Sequence, residues 1–447
     1  MERGESILEL EIEAMTKKFL EVSKDKEIQI ISHFDTDGIT SAAIMIQTLK
    51  KLDKIFSVKI VKSLNEKIIK NLPKNKITLF LDLASGSLNY IKKSELENVF
   101  IIDHHEIIQK IPENVNIINP QLHNKEQISG SGLTYLFCKQ INNENKEFAK
   151  LAILGMIGDR LEKEINRLNN GILNDGEVKK KRGLLIYPST RPLNRTLEFS
   201  SNPFIPGITG NQEGVLDLLR EVKLNPSKGV YKSIIELNDE EMSKLVTAIL
   251  LRNPKAKNQE IIGDIFLIKL FNKLEDAREL SAKINACSKL GESGTAIQFC
   301  MEIQKAKKMV ESMHVKYRQF LISGLNFVTE TEKIQGKGFV IINAKDNIKD
   351  TIIGTIASIL SNSSLYEEGT IITAMAYYDD KIKVSARMVG KNGRNVREIL
   401  NNIIEKIGGE VGGHEFAAGC IINKNQEQEF ISLLKKNLEI ELVKIQS

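Results

Sequence analysis

Six histidines occur in 447 residues, and three of them stand close to aspartates. The groups are His33-Phe34-Asp35-Thr36-Asp37-Gly38, an isolated Asp82, Asp103-His104-His105, and Gly158-Asp159. Taken singly, each has an ordinary reading: an Asp after a strand is usually a turn or helix cap, and a lone His is usually structural or solvated. Taken together they call for a different account. Carboxylates gathered in one place repel one another strongly, and a pair of divalent cations relieves that repulsion. Mixed carboxylate and imidazole ligands suit Mn²⁺, with Mg²⁺ or Co²⁺ as alternatives. Two such ions about 4 Å apart can polarise a phosphoryl oxygen and generate a bound hydroxide. The segment His33–Gly38 lacks the downstream acids of an EF-hand, which separates it from a calcium loop.

These residues fall at the ends of predicted elements. Residues 27–32 (EIQIIS) form a short apolar strand ending in His33–Gly38, and SAAIMIQTLKKL follows as a helix. ITLFLDLAS and VFIIDHHE are two further strands, and LAILGMIGDR is a helix ending at Gly158-Asp159. Strands that alternate with helices imply a parallel sheet, and in such sheets ligands bind beyond the carboxyl ends of the strands. Ahead of them, Leu8, Ile12, Met15 and Phe19 mark one face of an amphipathic helix. Glu177–Arg195 is basic, contains Pro188 and Pro192, and reads as a connector; Ser200–Asn211 is rich in turn signals. From Asn211 to about Thr331 the pattern is mostly helical, with long helices expected over Ala277–Cys287 and Gly294–Phe327. A last α/β unit starts near Gly336. It comprises a strand (GFVIINA), a helix (DTIIGTIASILS), a hairpin around Asp379-Asp380, another helix, and a glycine loop, GGHEFAAGCII, entering a strand.

Composition narrows the class. Hydrophobic residues make up 41% and charged residues 27%, close to the globular average. Apolar runs such as Leu151–Ile157 fall well short of the ~20 residues that span a bilayer, and the opening MERGESILELEIEAM has no apolar core of signal-peptide type. The expectation is a cytoplasmic protein with no membrane partner. The net charge of +5 permits a nucleic-acid partner without arguing for one. Cys138, Cys287, Cys300 and Cys420 are widely spaced and read as reduced thiols. The run Lys179-Lys180-Lys181-Arg182, with Arg191 and Arg195, can track a nucleic-acid backbone or be a solvated face. Trp is absent and aromatics total 6%, so no base-stacking signature stands out.

The motifs carry a family resemblance. His33-x-Asp35-x-Asp37-Gly38, Asp82, Asp103-His104-His105 and Gly158-Asp159 look like the four motifs of the DHH phosphoesterase superfamily. Gly412-Gly413-His414-x-x-Ala417-Ala418-Gly419 resembles the glycine motif of its usual partner, the DHHA1 domain, and Val384-Ser385-Ala386-Arg387 looks like that domain's substrate-contacting strand. Asp276-Ala277-Arg278-Glu279 with Asn285-Ala286-Cys287-Ser288-Lys289-Leu290, and Asn202-Pro203-Phe204-Ile205-Pro206-Gly207, are similar to stretches of archaeal RecJ-like nucleases, the group that includes the GINS-associated nuclease. Ser288-Lys289 stands where the usual pattern has Gly-Arg, and Val411 where a third glycine often sits.

The resemblance implies an α/β protein with a parallel-sheet DHH catalytic domain over residues 1–195, a mainly helical insert over 196–331, and an α/β DHHA1 substrate-binding domain over 332–447. It implies two divalent metal ions bridged by Asp82. His33 and Asp35 would hold the first, and Asp37, His104 and Asp159 the second. Asp103 would orient a ligand, and His105 would contact the scissile phosphate. Gly412, Gly413, His414 and Arg387 would grip substrate phosphates, because bare glycine backbone approaches an anion closely and Arg donates bidentately. The activity expected is a single-strand-specific exonuclease for DNA, RNA or both, in replication or repair, with GINS or a repair helicase as partner. The alternatives are a hydrolase of short oligoribonucleotides or cyclic dinucleotides, and a replisome scaffold without catalysis.

Overall fold

The computed structural model describes residues 6–123, 126–200, 205–252, 261–363, 365–409 and 411–439. The chain divides into two compact units. The first comprises Met1–Arg191, Ser233–Leu237 and Ile262–His314; the second comprises Pro192–Lys232, Asn238–Ile261 and Val315–Ser447.

The first unit begins with helix α1 (Ile7–Val22), started by a capping box in which Ser6 and Glu9 exchange hydrogen bonds. Its main sheet is built from β1 (Ile28–His33), β2 (Phe56–Val61), β3 (Ile77–Leu81), β4 (Val99–Ile102) and β5 (Val115–Ile118), in the order β2-β1-β3-β4-β5. Every neighbouring pair is parallel. The three strands legible as apolar runs, β1, β3 and β4, are the three central ones, and β3 and β4 are buried throughout. The pattern alone missed β2 and β5. Both are edge strands, and β2 alternates between exposed and half-buried residues, so neither presents a continuous apolar run.

Helices α2 (Thr36–Lys51), α5 (Gly130–Ile141) and α6 (Ala149–Gly158) pack on one another; the short helices α3 (Glu66–Lys70) and α4 (Leu88–Lys92) lie between them in sequence. Alternation along the strands divides the core. Ile30, Leu79 and Leu81 join one cluster with α1, α2, α5 and α6, while Ile31 and Phe80 join another on the opposite face. Phe19 is fully buried between Phe100, 5.3 Å away and nearly perpendicular, and Phe137 at 5.5 Å.

Helix α7 (Arg167–Asp175) leads into β6 (Lys179–Leu184), which pairs antiparallel with β7 (Ile262–Leu270); β7 turns into β8 (Lys273–Asp276). The basic connector therefore contains a strand, and a hairpin interrupts the stretch expected to be mainly helical. Sequence pattern concealed both, because β6 opens with Lys179-Lys180-Lys181-Arg182 and its partner lies some 80 residues away. Lys180 reaches Asp264 at 2.7 Å, and Lys181 Nζ donates to the carbonyls of Ile235 and Leu237, so these two cations serve the fold. The helices that follow are Ala277–Lys289, Ser293–Cys300 and Gln304–Glu330. The expected helix over 294–327 is thus broken. Glu302 adopts a left-handed backbone at the break, and its carboxylate accepts from the Phe271 amide and pairs with Lys150.

The second unit contains α8 (Leu193–Glu198), α9 (Gln212–Glu221) and α10 (Asp239–Arg252), and a sheet ordered β13-β14-β12-β11-β10-β9. These strands are β9 (Ile334–Gly336), β10 (Phe339–Asn343), β11 (Ile371–Tyr378), β12 (Lys381–Met388), β13 (Val411–His414) and β14 (Ala417–Asn423). β10 and β11 are parallel, with helix Asp350–Ser361 between them in sequence; β11 and β12 form the hairpin around Asp379-Asp380. The glycine loop is itself a hairpin of β13 and β14. Together the units make an α/β protein with an N-terminal parallel sheet, a mainly helical middle and a C-terminal sheet. All four cysteines are buried, unpaired thiols. Among the described residues no helix is long and apolar enough to cross a membrane.

Removing Phe19 would leave a cavity bordered by two aromatic rings. Phe19→Ala is expected to cost about 3–5 kcal/mol, read as a lower midpoint for unfolding of the first unit in denaturant followed by circular dichroism. A loss under about 1 kcal/mol would show that this stack does not anchor α1.

Candidate metal centre

The site is built where the first sheet ends. β1 stops at His33, and Asp35 caps α2, its Oδ1 accepting from the Gly38 amide at 3.0 Å. Its other oxygen lies 3.0 Å from His33 Nδ1. Asp82 follows β3 in a left-handed backbone conformation (φ 57°), which Asp tolerates better than most residues. β4 delivers Asp103-His104-His105, and α6 ends at Asp159.

Asp82 lies at the centre. It is buried and directs one oxygen each way: Oδ2 is 3.5 Å from His33 Nδ1, and Oδ1 is 3.3 Å from His104 Nε2. His104 Nε2 also lies 3.4 Å from Asp159 Oδ2 and 3.8 Å from Asp37 Oδ2. Two ligand-sized groups result, His33–Asp35–Asp82 and Asp37–His104–Asp159, with Asp82 also close to His104 and His105.

The hydrogen-bonding state separates these residues into two kinds. Asp37 is fully supported: Oδ2 accepts from the Gly130 amide at 2.6 Å and Oδ1 from the Ser131 amide at 3.0 Å, at the N-terminus of α5 where the helix dipole favours an anion. Asp103 is equally occupied. Oδ2 accepts from the Ser85 amide, Oδ1 from the His104 and His105 amides, and Oδ1 lies 2.7 Å from His105 Nδ1. Asp103 therefore fixes the turn and the His105 ring. By contrast, both oxygens of Asp82, Asp159 Oδ2 and His33 Nδ1 are buried without a hydrogen-bond partner. Buried polar atoms left in this condition are costly. Two divalent cations would satisfy all four at once, so the residues present fit that pair of ions.

Electrostatics agree. Burial raises the Asp82 carboxyl well above the usual carboxylate range, and the Asp37 and Asp35 carboxylates add to it. Burial likewise raises Asp159, with Asp37 and Asp82 contributing. For His33, burial opposes the charge, but the Asp35 and Asp82 carboxylates outweigh it and push the imidazole up to about 11. His104 and His105 are also raised against burial, by Asp37 and Asp159 for the former and Asp103 for the latter. Without cations the cluster holds protons that ligation would displace.

Several contributors were not singled out from sequence. Ser129 caps α5, and Gly130 and Ser131 donate to Asp37. Gly155 faces the same carboxylate, since a Cβ there would lie 2.2 Å from Asp37 Oδ1 and 2.0 Å from Ser131 Oγ. The run Ser-Gly-Ser-Gly ahead of an apolar segment is a helix-start signal that could have drawn attention to α5. Lys289, in the place of the usual Arg, sits 4.7 Å over the Phe34 ring. Of the segment 202–207, residues 202–204 lie outside the described residues.

Arg387 and Gly412–His414 lie in the second unit. Ala417 on β14 pairs with Arg387 on one side and His414 on the other, so both side chains stand on one face of the sheet, two strands apart. Gly413 requires its residue type: its φ is 115°, and a Cβ would meet the Ala417 carbonyl oxygen at 2.3 Å. His414 is exposed, and its Nδ1 accepts from the Phe416 amide.

This architecture is that of a known class. Residues 27–156 match the DHH family N-terminal domain, 186–260 the DHH-CID domain and 336–439 the DHHA1 domain. The chain thus carries the DHH, DHH-CID and DHHA1 domains, which together span most of its length. Its relatives include an uncharacterized protein of Methanocaldococcus jannaschii, 27% identical, covering 94% of this chain and 96% of that protein. Among solved structures, exonuclease RecJ bound to manganese aligns with a TM-score of 0.61 at 16% identity, covering 98% of this chain and 95% of that one. CDC45 from Entamoeba histolytica aligns at 0.70 and 11% identity, covering 97% and 99%. At these identities the two structures share the fold.

Two outcomes follow from the geometry. Mn²⁺ binding is expected to release protons near neutral pH and to weaken as pH falls, because the raised groups must be deprotonated to ligate. Calorimetric titration in buffers of different ionisation enthalpy checks this; a heat independent of buffer would contradict it. Gly155→Ala is expected to weaken Mn²⁺ binding at least about tenfold by displacing a ligand-bearing carboxylate, measured by the same titration; unchanged affinity would mean that Asp37 does not ligate.

Proposed function

We propose that this DHH-superfamily phosphoesterase is a two-metal phosphodiesterase acting as a single-strand-specific exonuclease on DNA, RNA or both, in replication or repair. The observation that carries the reading is Asp82, whose two unpartnered buried oxygens are shared between two ligand groups. In this reading His33 and Asp35 hold one ion, Asp37, His104 and Asp159 the other, and Asp82 both. Mn²⁺ is the favoured ion, with Mg²⁺ or Co²⁺ as alternatives. Bound there, the ions supply positive charge to the phosphoryl oxygens and lower the pKa of the attacking water.

The chain's own residues do the remainder. Asp103 holds His105 Nδ1, which leaves Nε2 to the substrate. The raised imidazole can donate that proton to a phosphate oxygen as negative charge builds there. Asp37, fixed by two backbone amides, keeps its half of the site from relaxing when charge changes. In the second unit Arg387 and His414 would grip phosphates of the strand. Likeness of fold to a manganese-bound exonuclease supports this reading.

A replisome scaffold is the rival that likeness to CDC45 raises. The filled set of ligand positions speaks against a chain that has abandoned catalysis. GINS or a repair helicase remains compatible as a partner of an active enzyme.

The test compares cleavage of a long single strand, a dinucleotide and a cyclic dinucleotide at equal concentration with Mn²⁺. The long strand is expected to be cleaved fastest, and Asp82→Ala to reduce the rate by about 10³-fold or more; Asp103→Ala, which removes a support and no ligand, should be milder. Preference for either small substrate would replace the exonuclease reading with a small-substrate hydrolase. Near-normal activity of Asp82→Ala would remove the two-metal assignment.

A further inference from the structure

Arg387 is held in an unusual state of satisfaction. It is partly buried on β12, and burial alone shifts its pKa, downward, with no carboxylate contributing. Its Nε donates to Ser358 Oγ at 3.0 Å, and its Nη1 donates to the carbonyls of Ala386 (2.8 Å) and Ala418 (3.3 Å). A guanidinium has five N–H donors, one on Nε and two on each terminal nitrogen. The three on Nε and Nη1 are therefore engaged, while Nη2 has no protein acceptor among the described residues. The charge has no counter-ion there either, a costly arrangement unless an anion arrives.

The neighbouring helix Asp350–Ser361 sets this up. Ser358 Oγ, which accepts from Arg387, itself donates to the Gly354 carbonyl at 2.9 Å, so the hydroxyl is fixed one turn along the helix. At Gly354 a Cβ would lie 3.1 Å from Ser385 Oγ and 3.7 Å from Arg387 Nη2. The first distance is tight and the second is ordinary contact, so the bare backbone makes room for Ser385, which stands with Arg387 on one face of β12. Ser358 pins one edge of the guanidinium.

We propose that Ser358 is a positioning residue for substrate binding: it turns the guanidinium of Arg387 so that the two Nη2 hydrogens face phosphate oxygens of a nucleic-acid strand. This rests on the nuclease reading above and adds to it the residue that determines the aim of the arginine. Ser358 touches none of the metal ligands, so its effect falls on strand binding.

The test is steady-state cleavage of a long oligothymidylate by the full chain with Mn²⁺, alongside anisotropy of the same labelled strand in chelator. Ser358→Ala is expected to raise KM and the dissociation constant roughly fivefold, the loss of one hydrogen bond to a charged group, with kcat within about twofold. Ser358→Thr, which keeps the hydroxyl, should restore both. The double variant Ser358→Ala/Arg387→Ala should bind no worse than Arg387→Ala, because the serine acts through the arginine. An unchanged KM and dissociation constant in Ser358→Ala, or independent multiplication of the two losses, would overturn the inference while leaving the nuclease reading intact. A wild-type chain that neither binds nor cleaves any strand would overturn both.

Discussion

Four buried or half-buried carboxylates, Asp35, Asp37, Asp82 and Asp159, converge on a few ångströms, and the first unit is organised around their repulsion. Bringing like charges into low dielectric is among the most expensive things a fold can do. The chain offsets part of the cost with its own groups. The N-terminus of α5 faces Asp37, the N-terminus of α2 takes one oxygen of Asp35, and His33 and His104 sit between the acids. It stops short of neutralising the centre. Among the described residues Asp82 keeps two buried oxygens without donors, a condition that added cations would resolve.

That distinction between supported and unsupported groups is informative throughout the molecule. Asp103 and Asp37 accept from backbone amides on both oxygens, which makes them rigid, and in Asp37 each oxygen keeps a lone pair for a ligand. Asp82, Asp159 and His33 are rigid by burial yet incompletely bonded, so their free capacity is directed at a ligand. Arg387 repeats the arrangement with the opposite sign: three of its donors are engaged and the other two have no protein acceptor among the described residues. The first unit thus leaves capacity for cations, and the second leaves capacity for an anion. The same fold in CDC45 and in a manganese-bound exonuclease shows that architecture alone does not fix activity.

Much of this was legible in one dimension. His33-x-Asp35-x-Asp37-Gly38, Asp82, Asp103-His104-His105 and Asp159 stand out because each follows an apolar run whose length and composition fix its element, and strand-end acids in a parallel sheet must face the same edge. The central strands β1, β3 and β4 were readable for the same reason: burial on both faces leaves an uninterrupted hydrophobic signature. Edge strands β2 and β5 and the lysine-rich β6 lack that signature, since one side of each faces solvent or a partner distant in sequence.

What tertiary structure alone decided is the assignment of neighbours. Sequence could nominate Asp37 as a ligand. It could not reveal that Gly130, Ser131 and Gly155, from two other helices, make the space and the donors that hold it, because those contacts join residues about a hundred positions apart. It could nominate Arg387, but not that Ser358 on a separate helix holds one edge of its guanidinium. Residue type and local spacing determine which groups are capable of the chemistry, since those depend on covalent structure and on the periodicity of a single element. Which capacities are spent inside the protein and which remain for a ligand depends on long-range packing, and only the folded chain settles that.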